Sequence, residues 1–327
     1  MPELSGESEQ YKAKGTNGIM NILISGSLAY DRIMDFHGKF SDHILPEKIH
    51  VLNVAFTVNS LTEKFGGTAG NIAYSLSLLG ERPIILSTIG RDYHRYYEWL
   101  EENNITCEGI RIIDDELTAC AYITTDQSDN QITGFNPGAM KYNVTFDLDR
   151  LDPEDTIAIV APGNLDDMVG LCQEYKSRGI RFIFDPGQQL TSFDKESIVK
   201  CIDGAYILIS NDYELEMIME KTGLDRDNLL KKVKIIITTL GEKGSRVCTS
   251  GSIIEIPPVK IEKAVDPTGA GDSYRSGLLK GLVEDLDIEK CAAMGSACAS
   301  FAVEFLGTQE HNFSIEEFQK RLKSISE

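Results

Sequence analysis

NILISGS, residues 21–27, is a short apolar run that ends in glycine and serine, as expected for a buried strand that leads into a loop. Runs of the same kind occupy residues 83–90, 157–163, 181–187, 205–211 and 234–241. Between them lie stretches with apolar residues three and four positions apart, at residues 71–80, 93–104, 168–179 and 214–223. Continuous apolar strands that alternate with helices predict an α/β fold, with a mostly parallel sheet covered by helices on both faces.

Two stretches interrupt this alternation. Residues 48–62 and 117–135 are rich in Val, Ile, Thr and Phe with partial period-two spacing, so we expect strands of a small separate sheet. We place these lid segments at about 32–62 and 115–136. Ligands bind at the carboxyl ends of parallel strands, where a small sheet could cover them. A fixed extension of the sheet edge is the alternative.

The first 19 residues are polar and lack periodicity, so we expect a flexible N-terminal extension over residues 1–19. A single domain over residues 20–327 should follow, and Met20 is a candidate second start site.

Composition excludes several classes of protein. Apolar residues make up 42% of the 327 residues, which rules out global disorder, and the net charge of −19 argues against a nucleic-acid partner. No apolar run is long enough for a membrane span, and the five histidines have no zinc-like spacing. The cysteines form no CxxC pair and no signal peptide precedes them, so we expect reduced thiols and a cytoplasmic location. The seven cysteines are at positions 107, 120, 172, 201, 248, 291 and 298.

The stretch DPTGAGDSY, residues 266–274, sets small residues directly before Asp272 and the start of a predicted helix. One interpretation is a glycine turn in which Asp272 caps the helix. The other is an anion hole, in which the backbone N–H groups of residues 269–272 stabilise a transferring phosphoryl group. Asp272 would then accept the proton of an attacking hydroxyl.

Three other motifs each have two interpretations. FGGTAGN (65–71) is either a tight loop or a close backbone approach to a ligand, with Asn71 projecting from the first helical turn. SNDYE (210–214) contains an NxxE that is either a capping box or a pair that holds hydrated Mg²⁺ beside phosphates. TTLGEKGS (238–245) is either a hairpin turn or a loop over nucleotide phosphates. No GxxxxGK[ST] sequence is present in the chain.

Taken together and in this order, the motifs resemble those of the ribokinase-like (PfkB) family of carbohydrate and nucleoside kinases. The family's diagnostic elements are an early GG, a central NxxE and a late DTxGAGD. Here the last reads DPTGAGD, with proline after Asp266, which is similar to bacterial-type adenosine kinases. The resemblance runs through most of residues 20–311, at 26–47, 65–71, 133–140, 185–190, 210–214, 266–277 and 307–310. It implies a ribokinase-like three-layer fold with a small β-sheet lid.

The resemblance also implies a role for each matching residue. Asp31, Gly67 and Asn71 would hold ribose hydroxyls, and Phe56 and Phe135 would enclose the base. The full substrate-binding set is Ser27, Asp31, Phe56, Gly66, Gly67, Asn71, Phe135, Gln188 and Gln189.

On the nucleotide side, the resemblance implies ATP as the phosphate donor and Mg²⁺ organised by Asn211 and Glu214. Thr239, Gly241 and Gly244 would join Asn211 in binding the nucleotide. Gly269, Ala270 and Gly271 would form the anion hole, with Asp272 as the base. Whether a monovalent cation assists is left open, and the β-rich lid permits a homodimer through lid pairing.

The sequence therefore predicts an ATP-dependent adenosine kinase that phosphorylates the 5′-hydroxyl of adenosine to give AMP. A sugar kinase acting on ribose or fructose is the nearest alternative, because it would use the same machinery. A catalytically idle nucleoside-binding homologue is the second alternative.

Overall fold

The computed structural model describes residues 20–45, 50–51 and 53–325, so the predicted extension over residues 1–19 lies outside the described residues. Thirteen strands lie within the described part of the chain. Nine of them form the main sheet: β1 Asn21–Ser25, β4 Ile84–Gly90, β5 Ile110–Ile113, β8 Thr156–Val160, β9 Arg181–Phe184, β10 Ile207–Asn211, β11 Ile235–Thr239, β12 Ser245–Cys248 and β13 Ile253–Ile256. The other four form a small sheet: β2 Ala29–Asp35, β3 Ser60–Gly66, β6 Ala119–Thr125 and β7 Gln131–Asn136.

The main sheet has the order β13-β12-β11-β10-β9-β8-β1-β4-β5. All neighbours from β11 to β5 pair in parallel, and β12 and β13 add an antiparallel edge. Their carboxyl ends consequently share one edge of the sheet, which is where loops can build a ligand site.

Helices cover both faces of this sheet. In β1, Ile22 and Ile24 belong to the apolar core beneath α1, α7 and α8, whereas Leu23 belongs to the core beneath α3, α4 and α5. This alternation of a strand buried on both sides explains the continuous apolar runs, and the predicted three-layer α/β fold is confirmed. The helices are α1 Thr68–Leu78, α2 His94–Glu102, α3 Leu165–Arg178, α4 Lys195–Ile202, α5 Asp212–Thr222, α6 Arg226–Leu230, α7 Ala270–Val283, α8 Ile288–Ala302 and α9 Ile315–Lys323.

The small sheet has the order β3-β2-β6-β7, with β2 and β6 parallel and the outer pairs antiparallel. The strands predicted within 117–135 are confirmed. The prediction for 48–62 is confirmed only at its end, because residues 53–58 contain no strand and β3 begins at Ser60. Residues 48, 49 and 52 of that stretch lie outside the described residues. The rings of Phe36 and Phe40 pack against Phe56, which holds that segment without strand pairing. The sequence analysis also missed strand β2, which is half polar.

Candidate active site

Asp272 lies in the first turn of α7, three residues after Gly269, which is the N-cap residue. Gly269 has a φ of 78°, a left-handed conformation that favours glycine, and no side chain caps this helix. The capping interpretation of Asp272 is therefore wrong, because its carboxylate is not used at the N-cap position. The N–H of Ala270 donates to the carbonyl of Pro267, whereas the described hydrogen bonds include no acceptor for the N–H groups of Gly271 and Asp272, so these two groups and the carboxylate remain available for a ligand.

The carboxylate of Asp272 is fixed from the opposite side of the site. The side-chain amide of Asn71, in the first turn of α1, donates a hydrogen bond of 2.8 Å to Oδ2 of Asp272. Burial raises the pKa of Asp272 to about 6, although the Arg275 guanidinium and the Asn71 hydrogen bond act to lower it. Asp185 raises the pKa further. Such a pKa suits a general base, because the group is ionised near pH 7 and still basic enough to accept a proton.

A buried cation lies beside this carboxylate. Arg275, one turn along α7, pairs with both carboxylate oxygens of Asp185, which follows β9. The Arg275 side chain is 8% exposed and that of Asp185 2%. Burial acts to lower the pKa of Arg275, but Asp185, Asp272 and Glu214 outweigh it and raise that pKa above its usual value, so the guanidinium stays charged. A Cβ atom at position 271 would lie 2.8 Å from Nη1 of Arg275, so glycine there lets the guanidinium approach the anion-hole loop.

The glycine pair before α1 is shaped by close backbone contacts. Gly67 has a φ of 90°, and a Cβ atom there would lie 2.5 Å from the carbonyl oxygen of Ser27. The Ser27 hydroxyl accepts a hydrogen bond from the backbone N–H of Thr68 and so helps to set the start of α1. This loop places Asn71 where it can reach Asp272.

Asp31, on strand β2, faces the same region. A Cβ atom on Gly66 would lie 2.6 Å from Oδ2 of Asp31, which places this carboxylate against the glycine pair. Burial raises the pKa of Asp31 to about 6. None of the side chains that the structure describes donates a hydrogen bond to it. A half-buried carboxylate without a donor is suited to accept hydrogen bonds from a hydroxylated ligand.

The register of the small sheet aligns Phe135 with Asp31. Asp31 pairs with Ala121 on β6, and Ala121 pairs with Phe135 on β7, so all three side chains share one face. Two strand spacings separate Phe135 from Asp31, or roughly 10 Å. Phe135 is 52% exposed, and the small side chain of Ala121 lies between it and the carboxylate.

Three other residues predicted to bind substrate are Phe56, Gln188 and Gln189, and their surroundings differ from those of Asp31 and Phe135. Phe56 contacts Phe36, Phe40 and His43 within the small-sheet region, with ring centroids 4.8–5.8 Å apart. Gln189 donates to the carbonyl of Gly163, and Gln188 is exposed. Among the described contacts, no hydrogen bond joins either glutamine to the group around Asp272. Their substrate roles stay predictions.

A cavity of about 480 Å³ borders the glycine-rich loop that precedes Asp272. It is bounded by Thr239 at the end of β11, by the turn from Gly241 to Gly244, and by Ala270 and Gly271. The turn joins two antiparallel strands, so it is a hairpin that also borders a cavity. The rest of the lining is mostly apolar and comes from residues 258–267, α7 and residues 296–303: Pro258, Val259, Lys260, Ile261, Ala264, Pro267, Tyr274, Ser296, Ala299, Ser300 and Val303.

The NxxE pair forms a capping box. Asn211 Oδ1 accepts from the N–H of Glu214, and Glu214 Oε2 accepts from the N–H of Asn211. Glu214 keeps its second oxygen, and burial raises its pKa. No group of three or more His, Cys, Asp or Glu within the described ranges is arranged to hold a metal. The donor set therefore fits a magnesium ion bound through its waters and phosphates better than one caged by protein ligands.

The sequence analysis missed several residues that shape the site. Arg275, Asp185 and Gln309 lie in stretches that carry the resemblance, but their partners are 90 or more residues away in sequence. The only local signal was at Arg275, a charged residue less than one turn from Asp272 in the same helix. The apolar lining of the cavity carries no motif.

The geometry defines a class of reaction. The cavity borders Ala270 and Gly271, and the Asp272 carboxylate follows them in the same helical turn, so a phosphate donor and a hydroxyl acceptor can meet at this helix N-terminus. The comparisons agree, because residues 31–314 match the pfkB family carbohydrate kinases, and the chain belongs to that family.

Several relatives are similar over nearly the whole length. A nucleoside kinase of Methanocaldococcus jannaschii is 36% identical over 266 residues, which are 80% of this chain and 87% of that protein. The structure of a Burkholderia thailandensis nucleoside kinase in complex with inosine has a TM-score of 0.80 and 35% identity, and the match covers 93% of this chain and 97% of that one. The same enzyme in complex with ADP-inosine has a TM-score of 0.77 and 36% identity, with 93% and 95% covered.

The described helices include none that is long and apolar enough to cross a membrane.

Proposed function

We propose that this protein is an ATP-dependent nucleoside kinase that transfers the γ-phosphate of ATP to the 5′-hydroxyl of adenosine. The position of Phe135 carries the choice of a nucleoside over a free sugar. Phe135 is exposed and lies in the same cross-strand row as Asp31, whose carboxylate accepts no hydrogen bond from a described side chain. The ring provides a stacking surface for a base while Asp31 binds the ribose hydroxyls. A free sugar needs the carboxylate but not the ring. The named nucleoside kinases among the relatives support the same choice.

The reaction follows from the arrangement around Asp272. The Asp272 carboxylate accepts the proton of the 5′-hydroxyl as that oxygen attacks the γ-phosphate, and ADP leaves into the cavity. N–H groups of Gly269, Ala270 and Gly271 stabilise the charge on the transferring group, and Arg275 adds a fixed positive charge nearby. Glu214 and Asn211 would hold hydrated Mg²⁺, which supplies charge neutralisation at the phosphates.

The pKa of Asp272 gives a pH prediction. The acid form of the carboxyl cannot accept a proton, and Asp31 also gains a proton near pH 6, so kcat/KM should rise at least tenfold per pH unit below about pH 6 and level off above it. The measurement is a pH profile of phosphorylation with adenosine as acceptor. An acid limb centred near pH 4 would contradict the environment described for Asp272.

Replacement of Gly66 tests the role of Asp31. Gly66→Ala adds a Cβ atom 2.6 Å from the Asp31 carboxylate and should displace it from the ribose. We expect the KM for adenosine to rise roughly tenfold, the effect of one lost hydrogen bond, with a smaller change in kcat. Gly134→Ala on the same sheet is the matched control, because a Cβ there meets nothing within 4 Å. Equal KM values for the two variants would exclude Asp31 from the acceptor site.

The acceptor is decided by kcat/KM values for adenosine, inosine, ribose and fructose with Mg²⁺-ATP. We expect adenosine to have the highest value. A higher value for inosine would keep the nucleoside assignment but change the preferred base. Turnover with ribose or fructose alone would replace the proposal with a sugar kinase.

A further inference from the structure

The segment after α8, GTQE at residues 307–310, reaches both the small sheet and the anion-hole loop. The Thr308 hydroxyl donates to the carbonyl of Phe65 at the end of β3, and Lys64 donates to the carbonyl of Leu306. The N–H of Gly307 donates to Asp266, the first residue of the DPTGAGD motif. Gln309 is therefore held between two parts of the site.

Gln309 is buried, with 3% of its surface exposed, and its amide is fully bonded. Its carbonyl accepts from the indole N–H of Trp99 at 2.8 Å. Its amide nitrogen donates to Oδ1 of Asn71 and to the hydroxyl of Tyr96, each at 3.0 Å. The Tyr96 hydroxyl donates in turn to the carbonyl of Gly66 at 2.7 Å, so its own proton is committed.

These bonds have only one possible direction. An indole N–H can only donate, so it fixes the carbonyl of Gln309 toward Trp99 and the amide nitrogen toward Asn71. The oxygen of Asn71 is then occupied, and only its amide nitrogen can face Asp272. Trp99 is itself clamped, because its ring stacks on Phe65 and Tyr74 at centroid distances of 5.1 and 5.6 Å.

We propose that Gln309 is a positioning residue for the base: it orients the Asn71 amide, which binds one oxygen of Asp272 and leaves the other for the acceptor hydroxyl. The assignment of Asp272 as the base rests on the proposed function, whereas the hydrogen-bond chain from Trp99 to Asp272 is observed in the structure independently of that function. Without Gln309, the Asn71 amide can flip and set its oxygen against the carboxylate.

Other charged groups near Asp272 are independent of this chain. Arg275 acts from the next turn of α7, and Asp185 acts from the end of β9. Neither contacts Gln309 in the described hydrogen bonds and ion pairs. A change in the pKa of Asp272 on substitution of Gln309 therefore reports the Asn71 link.

The test uses Gln309→Met, which keeps the length of the side chain and adds no charge. The matched control is Gln319→Met at an exposed position of α9.

The side-chain NH₂ signal of Asn71 in ¹⁵N–¹H spectra, assigned from its loss in Asn71→Asp, titrates with Asp272. We expect a wild-type midpoint near pH 6. In Gln309→Met the midpoint should rise by roughly half to one pH unit, because the carboxylate loses a donor. With adenosine, kcat should fall roughly tenfold as the base loses its orientation, while the KM for ATP stays the same.

A titration midpoint of Gln309→Met equal to that of the wild type overturns the proposal, because a purely structural role lowers stability without moving the pKa of Asp272. A shifted midpoint with an unchanged kcat overturns it as well. Trp99→Phe provides a second variant in case Gln309→Met does not fold. It keeps an aromatic ring and removes the N–H, so the midpoint should shift in the same direction by a smaller amount. A wild-type protein that phosphorylates no nucleoside overturns the proposed function, whereas the titration midpoint decides the Gln309 link by itself.

Discussion

Asp272→Asn should lower kcat with adenosine by roughly 10²- to 10⁴-fold, the usual contribution of a positioned base. Asparagine keeps the shape of the side chain but cannot accept the proton of the 5′-hydroxyl. Adenosine binding should survive, because Asp31, Gly67 and Asn71 are unchanged. Steady-state kinetics and calorimetric titration with adenosine measure the two properties separately. Asp114→Asn, at an exposed position, is the control for the same chemical change.

The same variant should be more stable than the wild type at neutral pH. The pKa of Asp272 is raised in the folded state from 3.8 to about 6, so folding opposes its ionisation. Well below pH 3.8 the carboxyl is protonated in both states and costs nothing, whereas above pH 6 the full penalty is present. Asp272→Asn should therefore raise the free energy of unfolding at pH 8 by about 1–3 kcal/mol, and the gain should shrink as the pH falls from 6 and vanish below about pH 3. Near-wild-type turnover would exclude Asp272 as the base.

Arg275→Met should produce the largest loss of stability in the site. The substitution removes the ion-pair partner of Asp185. The Asp185 side chain is only 2% exposed, so its negative charge is left buried and unpaired. Breaking a buried pair in this way costs about 3–5 kcal/mol. The pKa of Asp272 should also rise, because Arg275 lowers it, so the acid limb of the pH profile should move up. Urea denaturation and the pH profile of kcat/KM measure the two effects.

An exposed ion pair provides the comparison for Arg275→Met. Arg178 pairs with Asp149 and Glu174, whose side chains are 79% and 44% exposed, so Arg178→Met should cost far less stability than Arg275→Met. The double variant Arg275→Met/Asp185→Leu should recover most of the lost stability, since an apolar pair can replace a buried ion pair. The kcat of this double variant should stay below that of the wild type, because the positive charge beside Asp272 is still missing. Recovery of both stability and kcat would show that Arg275 acts through folding alone.

The fold was predictable where the chain is regular. Runs such as residues 181–187 and 205–211 are buried on both sides of a parallel sheet, so their composition alone indicates strands. Strand β2 was missed because both of its faces carry a charged residue, Asp31 on one and Arg32 on the other, which interrupts the apolar pattern of a buried strand. Residues 53–58 looked like a strand because Val, Phe and Thr also suit the aromatic packing around Phe56.

The site was predictable where its chemistry is local. Asp272 and Asn71 were found because glycines and helix starts mark them in the sequence, but the 2.8 Å bond between them joins residues 201 positions apart. Arg275 and Gln309 act through partners that only the folded chain brings near. The capping box of Asn211 and Glu214 shows a further limit, because the same NxxE pattern indicates a helix start or a metal site, and the sequence alone does not separate the two.

The most direct test of the account is ³¹P NMR of the product formed from Mg²⁺-ATP and adenosine. We predict one new phosphomonoester, adenosine 5′-monophosphate, formed in step with ADP by the wild type and nearly absent with Asp272→Asn. ADP without a phosphorylated nucleoside, or phosphate on another hydroxyl, would contradict the placement of the 5′-hydroxyl against Asp272.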